Sequence, residues 1–155
     1  MKSIAHLVLV IGLLAALPIL TKAQSAKIEY DSTLAKKLNA DAYGMKKYVL
    51  VLLKTGSETG LSKAKSDSLF TGHMANINRL AEAGKLVVAG PFFKNDKYRG
   101  IFILNASTIE EGKQLVDSDP AIRANLLDPE LLLWYGSAAL SETLDIHKKI
   151  ESKTH

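Results

Sequence analysis

The sequence predicts an α+β domain whose elements follow one another in the order β-α-β-β-α-β. Two kinds of segment predict it: four short runs rich in branched and aromatic residues, typical of strands, and two segments with apolar residues at helical spacing. The chain has 155 residues, a length typical of one domain. Its 47% hydrophobic and 23% charged residues are those of an ordinary globular protein.

The first predicted strand covers residues 48–53, an apolar run of the length that strands usually have. Residues 55–66 are polar, include two glycines, and are predicted to form the loop that follows. Because every side chain of the run is apolar, both faces of this strand are predicted to be covered.

The first predicted helix follows Asp67. Phe70, Met74, Ile77 and Ala81 recur at helical spacing, with Leu80 alongside, and predict the apolar face of an amphipathic helix. Gly84 is predicted to end the helix, because glycine readily adopts the left-handed conformation found after a helix C-terminus.

The second and third strands are predicted at residues 86–89 and 100–104. Gly90 and Pro91 end the first of these two strands. Residues 95–97 have the composition of a turn, so the two strands are predicted to form a hairpin.

The second helix is predicted to start at Ser107 or Thr108, whose hydroxyl can cap its first turn, and to end at Asp117. Asp119 then precedes Pro120, which pushes the preceding residue out of helical geometry. The last strand is predicted at residues 131–135.

This order of elements is that of the split βαβ, or ferredoxin-like, fold: one antiparallel sheet with both helices on one face. Such a sheet leaves its other face open, and large apolar faces are seldom left to water. We therefore predict a homodimer in which a second copy covers the open sheet face. Trp134 and Tyr135, at the end of the last strand, could line a cleft or the dimer seam, and the seam is favoured.

Residues 1–23 are predicted to be a secretory signal peptide. Lys2 precedes an apolar run over residues 4–20, and Thr21 and Ala23 supply small side chains before the predicted cleavage point after Ala23. The alternative is a single membrane anchor, because the run approaches the length that spans a bilayer. We expect a protein exported to the periplasm or the cell exterior, with no membrane attachment after cleavage.

The remainder divides into three predicted parts. Residues 24–45 are polar and are predicted to be a flexible N-terminal arm, with room for a short helix near residues 34–38. Residues 46–138 form the α+β domain, and residues 139–155 form an exposed C-terminal helix and tail.

Charge and composition exclude several classes of function. The net charge of +4 falls to about +2 without Lys2 and Lys22, and the remaining lysines are scattered, so no nucleic-acid surface is predicted. The chain has no cysteine, which removes disulfides and thiolate chemistry. His73 is the only histidine of the predicted domain, so neither a metal site nor a cofactor is predicted.

Three features together resemble the YCII-related family. They are His73 on the first helix, the stretch over residues 84–91 (Gly-Lys-Leu-Val-Val-Ala-Gly-Pro), and Asp119-Pro120 after the second helix. The resemblance covers about residues 46–136. It implies the dimeric α/β barrel type of ferredoxin-like fold, a superfamily that also holds muconolactone isomerase-like enzymes.

The resemblance also implies a site. Position by position, the histidine and aspartate of the family correspond to His73 and Asp119, which are therefore the candidate catalytic pair. The family includes a dehydrochlorinase of a chlorinated hydroxyquinol. This chain departs from the family pattern at Ser118 and Ala121, where an aspartate and an aromatic residue are usual.

Arg79, Gly90 and Pro91 are the candidate substrate-binding residues, and Arg99 is a further candidate for contacting an anion. Structural alternatives remain for each: a glycine–proline pair can simply end a strand, and single arginines are common on solvated surfaces. His73 could likewise be a boundary histidine with a structural hydrogen bond to Asp119.

Two functions follow. One is a small-molecule lyase or isomerase in which His73 is a general acid/base oriented by Asp119. The other is a non-catalytic exported dimer that binds a small ligand or has a structural role.

Overall fold

The computed structural model describes residues 29–153, so the predicted signal peptide lies outside the described residues. The compact unit that starts at Asp31 contains the elements discussed below. In chain order they are α1 (Ser32–Lys37), β1 (Met45–Thr55), α2 (Lys63–Glu82), β2 (Leu86–Pro91), β3 (Tyr98–Leu104), α3 (Ile109–Val116), α4 (Pro120–Arg123), β4 (Leu127–Ser137), a 3₁₀ turn (Ala138–Glu142) and α5 (Thr143–Ile150).

The four strands form one antiparallel sheet in the order β2-β3-β1-β4. β1 is central: it pairs with β3 on one side and along its whole length with β4 on the other. This strand order is the ferredoxin-like one, and the predicted α+β fold class is confirmed.

The main core lies between the helices and one face of the sheet. β1 contributes Val49, Val51 and Leu53 to this face, where they pack with Leu80 of α2 and Phe102 of β3. Side chains alternate between the faces of a strand, so Tyr48 and Leu50 lie on the opposite face. Both faces of β1 are thus covered or partly covered.

The chain itself covers part of the sheet face predicted to be open. Leu140, in the 3₁₀ turn, packs against a small cluster formed by Tyr48, Val87 and Ile103. The Tyr48 hydroxyl donates a hydrogen bond of 2.9 Å to the Ser137 carbonyl, which holds the turn against the sheet. The apolar surface that remains open on this face is concentrated on the edge strand β4.

The buried face of α2 differs from the predicted one. His73, Asn76 and Leu80 are the buried residues of this helix, whereas Phe70 and Met74 are 39% and 40% exposed. Leu80 and Ile77 of the predicted face do pack on the core. The apolar periodicity does not identify His73 and Asn76 as buried, because both are polar and have a partner at the start of the neighbouring α4.

The segment before β1 contains ordered contacts. Asp31 caps α1 by accepting a hydrogen bond from the Leu34 N–H, and Leu38 is buried. Asp41 accepts hydrogen bonds from the backbone of Tyr43 and Met45 and from the Tyr135 hydroxyl, so this segment is attached to the end of β4. Among residues 29–153, no helix combines the length and the apolar character needed to cross a membrane.

Candidate active site

The structure brings His73 and Asp119 together. Nδ1 of His73 lies 2.7 Å from Oδ2 of Asp119, although 46 residues separate them in the chain. His73 is 9% exposed and Asp119 is fully buried. Buried ionisable pairs of this kind are frequent at sites that bind or transfer protons.

The position of Asp119 follows from local sequence. Asp119 is the N-cap of α4, and Pro120 occupies the first turn, where its missing N–H and fixed φ are favourable. Oδ1 of Asp119 accepts hydrogen bonds from the N–H groups of Ala121 (2.9 Å) and Ile122 (3.4 Å). One carboxylate oxygen thus holds the helix, and the other is left for His73.

These contacts set the charge of Asp119. Burial acts to raise the pKa of this carboxyl, but the hydrogen bond and charge of His73 and the N–H groups of Ala121 and Ile122 outweigh it and hold the pKa below its ordinary value. Because Asp119 is ionised, Nδ1 of His73 carries a proton and donates it. In the neutral imidazole the other ring nitrogen, Nε2, then carries the lone pair.

The lowered pKa of Asp119 predicts how stability depends on pH. The pKa of this carboxyl is lower in the folded chain than its ordinary value, so it ionises more readily there. Its contribution is therefore complete above about pH 4 and is lost as the pH falls through the folded pKa. We expect the difference in unfolding free energy between the unaltered protein and Asp119→Asn to shrink below about pH 4. Urea unfolding between about pH 6 and pH 2 measures it, and a difference that grows on acidification would contradict the assignment.

Three further residues support the pair. Nδ2 of Asn76 lies 3.5 Å from Oδ2 of Asp119, and Arg79 donates to Oδ1 of Asn76 at 2.7 Å and to Oγ of Ser118 at 2.9 Å. The amide of Asn76 is therefore oriented from behind by the Arg79 guanidinium. The sequence contained a signal for this: His73, Asn76 and Arg79 are spaced by three residues along one helix.

Two aromatic rings flank the imidazole. The ring of Phe102 is stacked on that of His73, with centroids 5.8 Å apart, and the ring of Phe70 meets it edge-on at 6.0 Å. Nε2 of His73 has no hydrogen-bond partner among the described residues. Every fully enclosed side-chain nitrogen or oxygen of these residues does have a partner, so Nε2 is not fully enclosed. Nε2 is therefore open to a cleft, whose wall His73 helps to form.

The cleft has a volume of about 590 Å³ and runs along the free edge of β2, with residues of α2 and α5 on its sides. This volume is within the range of small-molecule sites. Apolar side chains dominate its walls: Leu53, Phe70, Met74, Ile77, Leu86, Val87, Val88, Phe102, Leu127 and Leu144.

The predicted binding residues have different positions. Gly90, Pro91 and Arg99 line the cleft, whereas Arg79 is not among its lining residues and binds Asn76 and Ser118 instead. A Cβ at Gly90 would meet no atom within 4 Å, so Gly90 leaves space open rather than relieving a clash. Among residues 29–153, no group of three potential ligands is placed to hold a metal ion.

Fold and site together define a class: a ferredoxin-like α+β domain with a buried histidine–aspartate pair whose histidine lines an apolar cleft. No family model matches the chain. No curated protein matches it either. Among solved structures, the chain is similar to a 5-chloro-2-hydroxyhydroquinone dehydrochlorinase from Burkholderia phenoliruptrix AC1100 in complex with 2,5-dihydroxybenzoquinone, with 22% identity and a TM-score of 0.39 over 55% of this chain and 92% of that one. The fold class rests on the strand order above, and the activity of that enzyme is not transferred by a likeness of this size.

Proposed function

We propose that this chain is an exported lyase or isomerase that acts without a cofactor on an aromatic or enolisable small molecule. The observation that carries the proposal is the 2.7 Å hydrogen bond between His73, which lines the cleft, and the buried, ionised Asp119 behind it. Asp119 fixes the orientation and the tautomer of the ring, and Nε2 takes a proton from the substrate or returns one. Membership of the YCII-related family is part of this proposal.

The cleft supports the same chemistry. Its apolar walls would exclude water and hold a ring or a short apolar chain beside the imidazole. A proton transfer to or from carbon needs a base held against the substrate in a fixed orientation. The stacked Phe102 and the Asp119 hydrogen bond restrict the imidazole in that way.

Hydrogen–deuterium exchange into a set of small molecules tests this function while the substrate is still unidentified. The protein is incubated in D₂O with a panel of hydroquinones, hydroxybenzoquinones and 1,3-diketones, and the loss of C–H signals is followed by NMR. We expect exchange faster than in buffer for at least one compound. A protein that accelerates exchange in none of them is not an acid/base catalyst of this type.

A structural role for the pair is the second candidate, and one observation favours it. Both oxygens of Asp119 already have hydrogen-bond partners. One oxygen binds the backbone of α4 and the other binds side chains of α2, so this carboxylate links the two helices. The protein would then be a non-catalytic exported dimer that binds a ligand in the same cleft. Under this alternative, replacing His73 changes stability but abolishes no exchange.

Export is part of the proposal and is supported by the arrangement of residues 1–23. Mass spectrometry of the protein recovered from the producing cells tests it. Gln24 is the expected first residue, and an intact Met1 or a retained apolar segment would contradict export with cleavage.

We also propose a homodimer through the part of the open sheet face that the 3₁₀ turn leaves free. Leu132 and Trp134 lie on that face, because they pair with Leu50 and Tyr48 across β1. Leu132 is 41% exposed there, on an edge strand that a second copy can cover.

Replacing Leu132 by Glu is expected to convert the dimer to a monomer in sedimentation velocity, because the carboxylate would have to be desolvated in the interface. Ile146→Glu, at an exposed apolar position on α5, is the matched control and should leave the dimer intact. A monomeric unaltered protein, or equal effects of the two variants, would contradict the proposed interface.

A further inference from the structure

We propose that α5 selects the ligand of the cleft, and that this ligand is an aromatic anion whose acidic group binds on the α5 side. The proposal deepens the function proposed above and rests on it, since both concern the same cleft. One face of the helix carries it: Leu144, His147 and Lys148 line the cleft, followed one turn later by Glu151. Their spacing of three and four residues places them on a single side of the helix.

Two cationic side chains line the cleft, Lys148 on α5 and Arg99 on β3. Lys148 and Arg99 have no carboxylate within ion-pair distance among residues 29–153, whereas other lysines, such as Lys63 and Lys113, have one. Oε2 of Glu151, by contrast, lies 3.5 Å from Nε2 of His147, on the same side of α5. An anion entering the cleft therefore meets two free cations.

Glu82 is the other carboxylate of the cleft, and it lies away from the proposed reaction centre. It follows His73 by nine residues on α2, which corresponds to about 13 Å along the helix axis. A ligand with one acidic group and one ring can contact Lys148 and the apolar walls without approaching Glu82.

Exposed apolar side chains provide the surface for the ring. Phe70 and Met74 are about two-fifths exposed although both are large and apolar, and both line the cleft. Leu144 adds an apolar side chain from α5. Large apolar groups left open in a concave site, next to a few charged groups, are the usual composition of a site for an amphiphilic small molecule.

Basic residues in the last turn of a helix also have a purely structural explanation. Cations are favourable there because they face the negative end of the helix dipole. Lys148 and Lys149 both belong to the last turn of α5, but only Lys148 lines the cleft. The two lysines thus share the position at the helix end and differ in whether they line the cleft, which is the property on which the proposal depends.

Fluorescence titration of the full mature protein with 1-anilinonaphthalene-8-sulfonate, an aromatic anion, tests the proposal. We expect Lys148→Glu to weaken binding about tenfold or more, because it replaces an attractive charge with a repulsive one, and Lys149→Glu to change it by less than about twofold. Leu144→Trp should weaken binding by filling the cleft, whereas Ile146→Trp, on the exposed side of α5, should not.

Equal effects of the two lysine variants, or no binding by the unaltered protein, would overturn the proposal. The outcome is separable from that of the proposed catalysis. The proposed catalysis is contradicted if proton exchange survives the loss of His73. The α5 proposal is contradicted if the Lys148 and Lys149 variants bind the dye equally well, whatever the exchange rates.

Discussion

Replacing Asp119 by Ala is expected to lower the free energy of unfolding by about 3–5 kcal/mol. The substitution removes the cap of α4 and leaves His73 and Asn76 without their acceptor in the interior. A buried group that loses its partner costs much more than the pair contributes net, because its desolvation is no longer offset. Urea denaturation followed by circular dichroism measures the change.

Two variants separate the causes. Asp117→Ala, two residues earlier, removes an exposed ion pair with Lys113 and should cost less than about 1 kcal/mol. Asp119→Asn keeps a capping oxygen but places an amide opposite His73, so the imidazole must accept through Nδ1 and carry its proton on Nε2. A loss below about 1 kcal/mol for Asp119→Ala would show that neither the cap nor the pair supports the fold.

Replacing His73 by Gln is expected to slow the proposed proton exchange by a factor of about 10²–10⁴, the usual contribution of a positioned general acid/base. Glutamine is the informative choice because its amide can still donate to Asp119, while it has no group that titrates near neutral pH. The measurement is the rate of C–H exchange in D₂O for any compound on which the unaltered protein acts.

The matched control is Ala75→Gln, which introduces the same side chain two residues away at an exposed position outside the cleft. It should leave the exchange rate within about twofold, because it alters no group that reaches the imidazole. Exchange that persists in His73→Gln at the original rate would leave the structural role of the pair as the better explanation.

The fold was largely predictable from the sequence because its strands and helices differ in the period of their apolar residues. The short runs around Val49, Val87 and Phe102 correspond to the first three observed strands. Glycine at residue 84 adopts φ = 66°, in agreement with its predicted place just beyond the end of α2. Each of these signals lies within the element that it predicts or directly next to it, so the neighbouring residues are enough to interpret it.

Element boundaries were less predictable. β4 begins at Leu127, four residues before the predicted start, and includes Pro129, which an edge strand tolerates. α2 begins at Lys63 rather than after Asp67, because Ser62 caps it by accepting a hydrogen bond from the Lys65 N–H. Both elements start in segments where no apolar pattern marks the boundary.

The candidate site was predictable only in part. A family resemblance identifies His73 and Asp119, and no periodicity in the sequence could have placed them 2.7 Å apart. Asn76 was missed because a polar residue on a helix is usually solvated, and its burial depends on the carboxylate that α4 brings to it. The C-terminal helix was predicted as exposed, and indeed none of its residues is buried, yet one side of it lines the cleft.

The pairing of β1 with β4 has a consequence for the order of folding. Each residue of β1 pairs with one that comes 72 to 92 positions later in the chain. The central strand therefore stays without one of its two neighbours until the ribosome has made β4, and contacts between such distant segments form slowly. A chain that folds slowly is still unfolded when it reaches a translocation pore, which is what the export proposed above requires.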